Sequence, residues 1–299
     1  MTPPIAVFGN VQADVLVSPA TALPAPGTDL LVDDIAVRAA GSAGNTALAL
    51  CDAGLAPRLY GLVGDDAFGA LIRAELSAHG IGGDVAVAAG DRTGVSICLE
   101  APGRDRAFWT YWGCLTRQRA EDAPDWVTSA AYGLYCGYFT LPATRGAPTL
   151  DLLTAARGTT LFDCGWDPDG WPGPTRAELA PILDAADILL PNAAEATALT
   201  GLADPHAATR ELQRRHGGWV ATKLGPAGAC AAGPSGAWHT APAPSITPTD
   251  TTGAGDAFNA GLTASLASGA EWPKALRAAV ALASDIITRP SHRRYALPS

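Results

Sequence analysis

The segment 250–258, with the sequence DTTGAGDAF, combines residue types that can hold an anion with one that can remove a proton. A turn formed by Gly253, Ala254 and Gly255 precedes an apolar run of small residues, 257–266, that predicts a helix. A helix N-terminus offers unpaired N–H groups and a partial positive charge, and glycines let the backbone approach an anion closely. Asp256 falls in the first turn, where its carboxylate could accept a hydroxyl proton. The pattern suggests transfer of a phosphoryl group to an alcohol.

Other interpretations of this glycine pair are weighed against the rest of the chain. An isolated Gly-x-Gly is often only a tight turn, and an acid in a first helical turn is often only a capping residue. The sequence contains no G-x-x-x-x-G-K-[ST] motif, which argues against a P-loop enzyme. A dinucleotide fingerprint would need glycine at position 258, where the chain has Phe258.

The string 250–258 resembles the C-terminal signature of the PfkB or ribokinase-like sugar kinases, and residues 41–47 with 64–69 resemble their N-terminal signature. The resemblance covers nearly the whole chain. It implies one α/β domain over 1–299: a mostly parallel central sheet flanked by helices, with a small β-sheet lid. It also implies ATP-dependent phosphorylation of a sugar hydroxyl. In this assignment Asp256 is the general base, and Gly253, Ala254 and Gly255 form the anion hole.

Composition limits the partners and the compartment. The 299 residues are 48% hydrophobic and 16% charged, which suits a large buried core. A net charge of −9 argues against nucleic acid or an anionic membrane as partner. No run has the length of a membrane span, and no signal peptide is evident. The six cysteines show no C-x-x-C spacing, so we expect buried thiols in a cytoplasmic protein.

Hydrophobic patterning predicts alternating strands and helices, which favours a parallel sheet covered on both faces. The predicted strands are 5–8, 58–63, 132–135, 160–162, 188–190 and 219–223. The predicted helices are 45–53, 68–79, 149–156, 175–184, 195–200, 207–216, 257–268 and 271–287. Segments 13–39 and 93–112 break the alternation but hold β-rich pieces at 30–32, 94–99 and 107–111. We expect these insertions to form the lid; edge strands of the main sheet are the alternative.

Acceptor-binding candidates follow the first predicted strand and precede the first predicted helix. Asp14 is well placed to accept hydrogen bonds from two sugar hydroxyls, although an Asp beside a turn is commonly only a turn residue. The resemblance adds Gln12, where ribokinase carries Asn, and places Gly41, Ser42 and Asn45 toward the acceptor. Ser42 stands where ribokinase-type chains carry Lys, so the resemblance does not fix which sugar is used.

Nucleotide-binding candidates lie at later strand ends. The resemblance places Asn192 and Glu195 near Mg²⁺ and the phosphates, with Glu195 acting through water; the same pair also fits a helix-capping box. It assigns Gly225 and Gly228 to a turn near ATP, together with Thr252. Lys223 is either part of this site or a solvated charge at a strand end.

The resemblance extends only in part to a monovalent-cation site. Asp250 and Thr252 match positions that help to bind K⁺ in some family members. The remaining ligands in those members are backbone groups after the last helix, and here the segment 288–294 departs from ribokinase.

The suspected lid is rich in aromatic residues and arginine: Arg104, Arg106, Trp109, Tyr111 and Trp112. These residues could contact the acceptor, Trp109 by stacking on a sugar face, or they could form a homodimer interface through the lid. An aromatic pocket in this region would instead suit a nucleoside kinase. A binding protein that kept the fold and lost the chemistry is the alternative from another class, but Asp256 and the Gly-Ala-Gly turn speak against it.

Overall fold

The computed structural model describes residues 2–18, 25–99, 107–291 and 294–295. In these ranges an eight-stranded sheet has the order β14-β13-β12-β11-β10-β9-β1-β4. Its strands are β1 Ile5–Phe8, β4 Arg58–Tyr60, β9 Tyr132–Cys136, β10 Thr159–Asp163, β11 Ile188–Leu189, β12 Trp219–Lys223, β13 Ala229–Ala232 and β14 Trp238–Ala241. All neighbouring pairs from β4 to β12 are parallel, and β13 and β14 add an antiparallel hairpin.

Helices cover both faces of this sheet, which explains why β1 is buried along its whole length. One face packs against α1 Ser42–Asp52, α2 Ala67–Ala78, α8 Ala254–Ala267 and α9 Trp272–Ile286. The other packs against α3 Trp126–Ser129, α4 Ala147–Ala155, α5 Gly173–Ala185, α6 Ala193–Thr200 and α7 Pro205–His216. Two hydrophobic cores result, one on each side of the sheet.

A separate four-stranded sheet has the order β3-β2-β7-β8. It consists of β2 Gln12–Ser18, β3 Asp34–Ala40, β7 Val95–Leu99 and β8 Ala107–Tyr111. Its central pair is parallel and its two outer pairs are antiparallel. The expectation of a small second sheet is confirmed, and the edge-strand alternative is wrong. Two further short strands, β5 Leu62–Gly64 and β6 Ala86–Ala88, pair only with each other.

Several predicted boundaries were wrong for local reasons. The strand expected at 58–63 is divided at Gly61, because β4 joins the large sheet whereas β5 pairs with β6. The piece at 30–32 is no strand, and Leu31 is 94% exposed. Strand β13 was missed because its alanine-rich sequence carries little β-propensity, and β14 was missed because it has only four residues and forms by pairing with β13. Helices α1 and α8 each begin three residues before their predicted starts.

The expected thiols are present: every cysteine except the half-buried Cys51 is buried. Within the described ranges, none of the helices combines the length and apolarity that crossing a membrane would require.

The fold brings distant parts of the chain to one edge of the large sheet. Strands β1, β10 and β12 are parallel, so their carboxyl ends point the same way and deliver the loop after Phe8, Asp163 and Lys223 to that edge. Helices α1 and α8 pack against each other and begin beside these strand ends. Ligands of open α/β sheets bind at this edge.

Candidate active site

The first turn of α8 has the geometry of an anion site. Its N-cap, Gly253, is left-handed with φ of 76°, and Asp256 is the third helical residue. The Ala254 N–H donates to the carbonyl of Thr251 at 3.2 Å. In the described part of the chain, the N–H groups of Gly255 and Asp256 have no hydrogen-bond acceptor. The turn therefore offers N–H groups and the positive end of the helix dipole to an anion, while the Ala254 N–H is already hydrogen-bonded within the turn.

Asp256 is partly buried and held in one orientation by Asn45, whose Nδ2 donates to Asp256 Oδ2 at 3.0 Å. The Oδ1 of Asn45 in turn accepts from the Tyr295 hydroxyl at 3.2 Å. Burial, followed by repulsion from Asp163, raises the pKa of Asp256 from 3.8 to about 7. The hydrogen bond from Asn45 and the charge of Lys223 oppose this shift. A carboxylate with a pKa near 7 is suited to exchange protons near neutral pH.

Glycine is required at Gly253 for two reasons. Its positive φ is unfavourable for other residues, and a Cβ atom there would lie 3.2 Å from Nδ2 of Asn45. The residue type at 253 therefore controls both the helix start and the contact between Asn45 and Asp256.

The Lys223 side chain is not a solvated charge but lies largely buried beside Asp163 and Asn259. Its Nζ donates to Asp163 Oδ2 at 2.7 Å and lies 3.4 Å from Asn259 Oδ1. Asn259 Nδ2 also donates to Asp163 Oδ2, at 2.6 Å. Burial alone would lower the pKa of Lys223, but the charges of Asp163 and Glu195 outweigh it and raise the pKa. The ammonium group stays charged, and it lies 3.6 Å from the position that a Cβ of Gly255 would take.

Asn192 and Glu195 form the reciprocal capping box of α6. Asn192 N–H and Nδ2 donate to the two Glu195 carboxylate oxygens at 2.8 and 2.7 Å, and Asn192 Oδ1 accepts from Glu195 N–H at 2.9 Å. Burial and repulsion from Asp163 raise the pKa of Glu195 to about 7. Among the described residues, no group of three or more His, Cys, Asp or Glu side chains is arranged to hold a metal ion. These residues fit a Mg²⁺ ion that is bound mainly by phosphates and water.

The turn after β12 contains Gly225 and Gly228, which differ in their surroundings. Gly228 has φ of 92°, and a Cβ there would clash with the Ala241 carbonyl of β14, so packing requires this glycine. Gly225 is exposed, and no atom lies within 4 Å of the Cβ position that a side chain would occupy. Gly225 thus has open space for a ligand, whereas Gly228 is enclosed by the hairpin.

A chain of side-chain amides leads to Asp14. Asn10 Nδ2 donates to Gln12 Oε1, and Gln12 Nε2 donates to Asp14 Oδ1, each at 3.2 Å. Asn10 Oδ1 accepts from the N–H of Ser42 at the start of α1, at 3.2 Å. Gly41 is the N-cap of the same helix. Burial raises the pKa of Asp14, against the lowering charge of Arg38. The charge of Asp14 also raises the pKa of Asp256, which places both carboxylates in one electrostatic environment.

Asp14 belongs to a polar row across one face of the small sheet. Register places Arg38 opposite Asp14 on β3, Ser96 opposite it on β7, and Thr110 opposite Ser96 on β8. Ser96 and Thr110 share a hydrogen bond between hydroxyls of 2.6 Å. Directly opposed residues share a face of a sheet, so this face carries two charged groups and two hydroxyls.

Trp109 is not brought to this cluster. It pairs with Ile97, one position away from Ser96 and Thr110, and therefore lies on the opposite face of the sheet, where it is 56% exposed. Val37 and Ile35 of β3 are also exposed. Arg104 and Arg106 lie outside the described residues.

Asp250 is engaged by arginine. Its carboxylate forms an ion pair with the buried Arg294, approaches Arg38 Nη1 at 3.5 Å, and accepts from Thr252 N–H at 2.7 Å. Burial alone would raise the pKa of Asp250, but the charges of Arg294 and Arg38 hold it below its usual value. The expected monovalent-cation position therefore already contains a cationic side chain.

Most candidate residues lie in one group at this edge of the large sheet, whereas Trp109 faces away from the polar row and Gly228 is enclosed by the hairpin. Sequence reasoning missed six side chains that complete this group: Asn10, Arg38, Asp163, Asn259, Arg294 and Tyr295. Asp163 had a signal, because an acid directly after a predicted buried strand reaches the ligand-binding edge. Arg294 and Tyr295 had none, because their contacts join the C-terminal segment to distant loops.

An α/β sheet with this helix start, a carboxyl group of raised pKa and a nearby lysine is the arrangement expected of a phosphotransferase that acts on alcohols. The chain belongs to the pfkB family of carbohydrate kinases, whose family model matches residues 4–298. It is accordingly an ATP-dependent sugar kinase.

Individual relatives agree with this class. Fructoselysine 6-kinase of Shigella flexneri is 29% identical over 248 residues, which cover 83% of this chain and 88% of that protein. Ribokinase of Arabidopsis thaliana, solved with ribose and ATP, has a TM-score of 0.82 at 23% identity and covers 99% of this chain and 96% of its own. A candidate ribokinase II of Escherichia coli, solved with ATP and Mg²⁺, has a TM-score of 0.82 at 19% identity, with coverages of 97% and 94%.

Proposed function

We propose that this kinase transfers the γ-phosphoryl group of ATP to a hydroxyl group of a sugar or sugar derivative, with Asp256 as general base. One observation carries the proposal. Asp256 shares the first turn of α8 with N–H groups that have no acceptor among the described residues, and its pKa is raised to about 7. Proton removal and anion binding therefore occur within a single helical turn.

Asp256 acts on the acceptor. Its carboxylate accepts the hydroxyl proton while the acceptor oxygen bonds to the γ-phosphorus and the bond from that phosphorus to the bridging oxygen breaks. Asn45 keeps the carboxylate oriented through its bond of 3.0 Å to Oδ2. General-base assistance contributes roughly 10²–10⁴ to the rate, and positioning and electrostatic stabilisation account for most of the remainder.

The transferred group is stabilised by the backbone of the same turn. The N–H groups of Gly253, Gly255 and Asp256, with Ala254 in a lesser role, face the negative charge that gathers on the phosphoryl oxygens. Lys223 supports them, since its ammonium group lies beside Gly255 and is held by Asp163. Gly225 borders the nucleotide on the exposed side, while Gly228 shapes the turn.

Mg²⁺ would be held by the phosphates and by water that Glu195 and Asn192 orient. When bound, it supplies positive charge that neutralises the β- and γ-phosphates. The Glu195 carboxylate is buried and committed to its capping box, which favours an indirect contact.

The acceptor is bound by the polar face of the small sheet and the start of α1. Asp14, oriented by Gln12, accepts hydrogen bonds from two hydroxyls, and Asn45, Ser42 and Gly41 contact the remainder. A desolvated carboxylate without such partners is costly, so analogues that lack those hydroxyls bind poorly. This chemistry suits a polyhydroxyl compound such as a ketose, a ribose or a fructoselysine-like derivative.

The small sheet acts as the lid of the site, formed by the insertions at about 13–39 and 93–112. Its polar face closes over the acceptor and excludes water, which limits wasteful ATP hydrolysis. A nucleoside acceptor is disfavoured, because Trp109 lies on the other face and provides no pocket for a base. The exposed apolar face around Trp109 and Ile35 supports the prediction of a homodimer through the lid.

The test is ADP release with Mg-ATP across ribose, fructose, fructoselysine, 2-keto-3-deoxygluconate and adenosine. We expect turnover with a polyhydroxyl acceptor and a loss of roughly 10²-fold or more in kcat for Asp256→Asn, with ATP binding retained. Asp151→Asn, an exposed change on α4, is the matched control and should leave kcat unchanged. Near-normal turnover of Asp256→Asn would refute the base assignment, and turnover with adenosine alone would refute the acceptor class.

A further inference from the structure

Arg294 occupies the centre of the loop that leads into α8. The residue is 2% exposed. Its Nη1 donates to the carbonyl oxygen of Thr252, and its Nη2 donates to the carbonyl oxygen of Asp250 at 2.8 Å. The same Nη2 forms an ion pair with the Asp250 carboxylate. One guanidinium group therefore joins three oxygen atoms of the loop immediately before Gly253.

Arg294 is itself held in place by Arg289, which follows α9, and through Arg289 by the end of α1. Its carbonyl oxygen accepts from Arg289 Nη1 at 3.0 Å, and that guanidinium also pairs with Asp52 at the end of α1, at 2.7 Å. The next residue, Tyr295, donates to Asn45, which holds Asp256. The C-terminal segment thus positions both the loop before α8 and the general base.

These oxygens do not fit a bound K⁺ ion. A monovalent cation at Asp250 and Thr252 would need the backbone and carboxylate oxygens that accept hydrogen bonds from Arg294. Arg38 adds a second guanidinium 3.5 Å from the Asp250 carboxylate. A further cation would repel both arginines in a poorly solvated position.

We propose that Arg294 is a built-in replacement for an exchangeable monovalent cation and that this kinase works without K⁺. The guanidinium fixes the orientation of the Asp250 and Thr252 carbonyl groups. Gly253 therefore keeps its left-handed conformation, and the N–H groups of Gly255 and Asp256 face the phosphate. Arg294 is a positioning residue, since it acts through the loop and touches no reacting atom. The inference rests on the proposed role of the 253–256 turn.

A planar guanidinium suits this task for a physical reason. Its N–H donors form a rigid fork and can satisfy several fixed oxygens at once, and its charge is permanent. An exchangeable ion leaves the site when its concentration falls, whereas a covalently attached one does not. The anion site of α8 is therefore formed at any ionic composition of the solvent.

The experiment compares the wild type with Arg294→Ala and Arg294→Lys in tetramethylammonium chloride and in KCl at equal ionic strength. The alanine variants are also measured in tetramethylammonium chloride with a low concentration of guanidinium chloride added. Two quantities are measured: the rate of ADP release with the best acceptor and the midpoint of thermal unfolding with Mg-ATP. The second does not require turnover, so it still tests the inference if the proposed acceptor chemistry fails. Arg145→Ala, which removes an arginine paired with Glu178 outside the site, is the control for truncating a partly buried ion pair.

The wild type should give the same rate and the same midpoint in both salts. Arg294→Ala should lose about tenfold or more in kcat, because charge-assisted hydrogen bonds that order the loop are lost. Guanidinium or K⁺ should restore part of this loss and raise the unfolding midpoint of Arg294→Ala, but not that of Arg145→Ala. Arg294→Lys should keep more activity than Arg294→Ala and respond less to K⁺.

Two results would overturn the inference. The first is a wild-type rate or midpoint that depends on K⁺, which would mean that an exchangeable cation binds in addition to Arg294. The second is a loss in Arg294→Ala with no response to either cation. If Arg294→Ala does not fold, Arg294→Lys and the wild type decide between the same outcomes.

Discussion

Replacing Asp256, the proposed general base, should make the protein more stable, and the gain should depend on pH. The folded chain holds Asp256 with a pKa of about 7, whereas the unfolded chain has the ordinary value of 3.8. Between these values the folded state binds more protons than the unfolded state, so its stability falls as pH rises and then stays constant above pH 7. Asp256→Asn removes this cost, because asparagine carries no charge.

The size of the effect follows from the shift. A change from 3.8 to about 7 corresponds to about 4 kcal/mol at 1.36 kcal/mol for each pKa unit. Asp256 is only partly buried, and solvent screening reduces this to about 2 kcal/mol. Between pH 5.5 and pH 8 the destabilisation caused by the Asp256 charge grows by about 1 kcal/mol after the same reduction. The asparagine still accepts the hydrogen bond from Asn45 through its own Oδ1, so no other contact need be lost.

The assay is urea unfolding of wild type and Asp256→Asn at pH 5.5 and pH 8, without nucleotide, so that ligand binding does not contribute. Asp151→Asn, on the exposed side of α4, is carried through the same series. We expect the variant to exceed the wild type in free energy of unfolding by about 2 kcal/mol at pH 8 and by about 1 kcal/mol at pH 5.5. The control should follow the wild type at both pH values.

Equal differences at the two pH values would refute the reasoning, because the cost of the charge would then be absent. A variant less stable than the wild type at pH 8 would refute it as well, and would indicate that the carboxylate stabilises the fold.

Two further predictions concern the neighbours of Asp256. Gly253→Ala should lower the free energy of unfolding by about 1–2 kcal/mol, because alanine is strained at a left-handed φ. It should also lower kcat, because the new Cβ atom displaces Asn45. The control is Gly54→Ala, at φ of 80° with open space around it, which should lose similar stability and keep the same kcat. Equal kcat losses in both variants would contradict the role of the contact. Lys223→Met should lower the free energy of unfolding by about 3–5 kcal/mol, because it leaves the buried charge of Asp163 without its cation. It should also shift the pH–rate profile to higher pH, because the charge of Lys223 lowers the pKa of Asp256. Urea unfolding measures the first effect, and rates from pH 6 to 9 measure the second. An unchanged pH–rate profile would mean that the charge of Lys223 does not affect the pKa of Asp256.

The sequence predicted the large sheet well where its patterning is strong. The strands expected at 5–8 and 219–223 have the observed bounds, because continuous apolar runs are typical of strands buried on both faces. It predicted less well where pairing partners decide the structure. Gly61 divides one expected strand between two sheets, and β13 forms from alanine-rich sequence with weak β-propensity.

The small sheet shows that a sequence pattern can predict a strand without predicting which side of the strand faces the site. The β-rich segments predicted the small sheet, and the aromatic residues of β8 suggested contact with the acceptor. Which side of β8 faces the site depends on its register with β7, and that register puts Thr110 beside Ser96 and turns Trp109 away. A shift of one residue would have reversed the two faces. The homodimer through the exposed face stays a prediction, as does the cytoplasmic location.

The sequence by itself determined the family, the helix that begins in Gly-Ala-Gly and the position of Asp256 in its first turn, because these depend on residues adjacent in the chain. Only the tertiary structure decided what surrounds that turn. Burial and the charge of Asp163 raise the pKa of Asp256, whereas Asn45 and Lys223 lower it, and only folding brings these groups together from different elements. Arg294 shows the same limit most clearly: nothing in its local sequence distinguishes it, and its proposed positioning role depends on folding, which buries its charge among oxygens more than forty positions away in the chain.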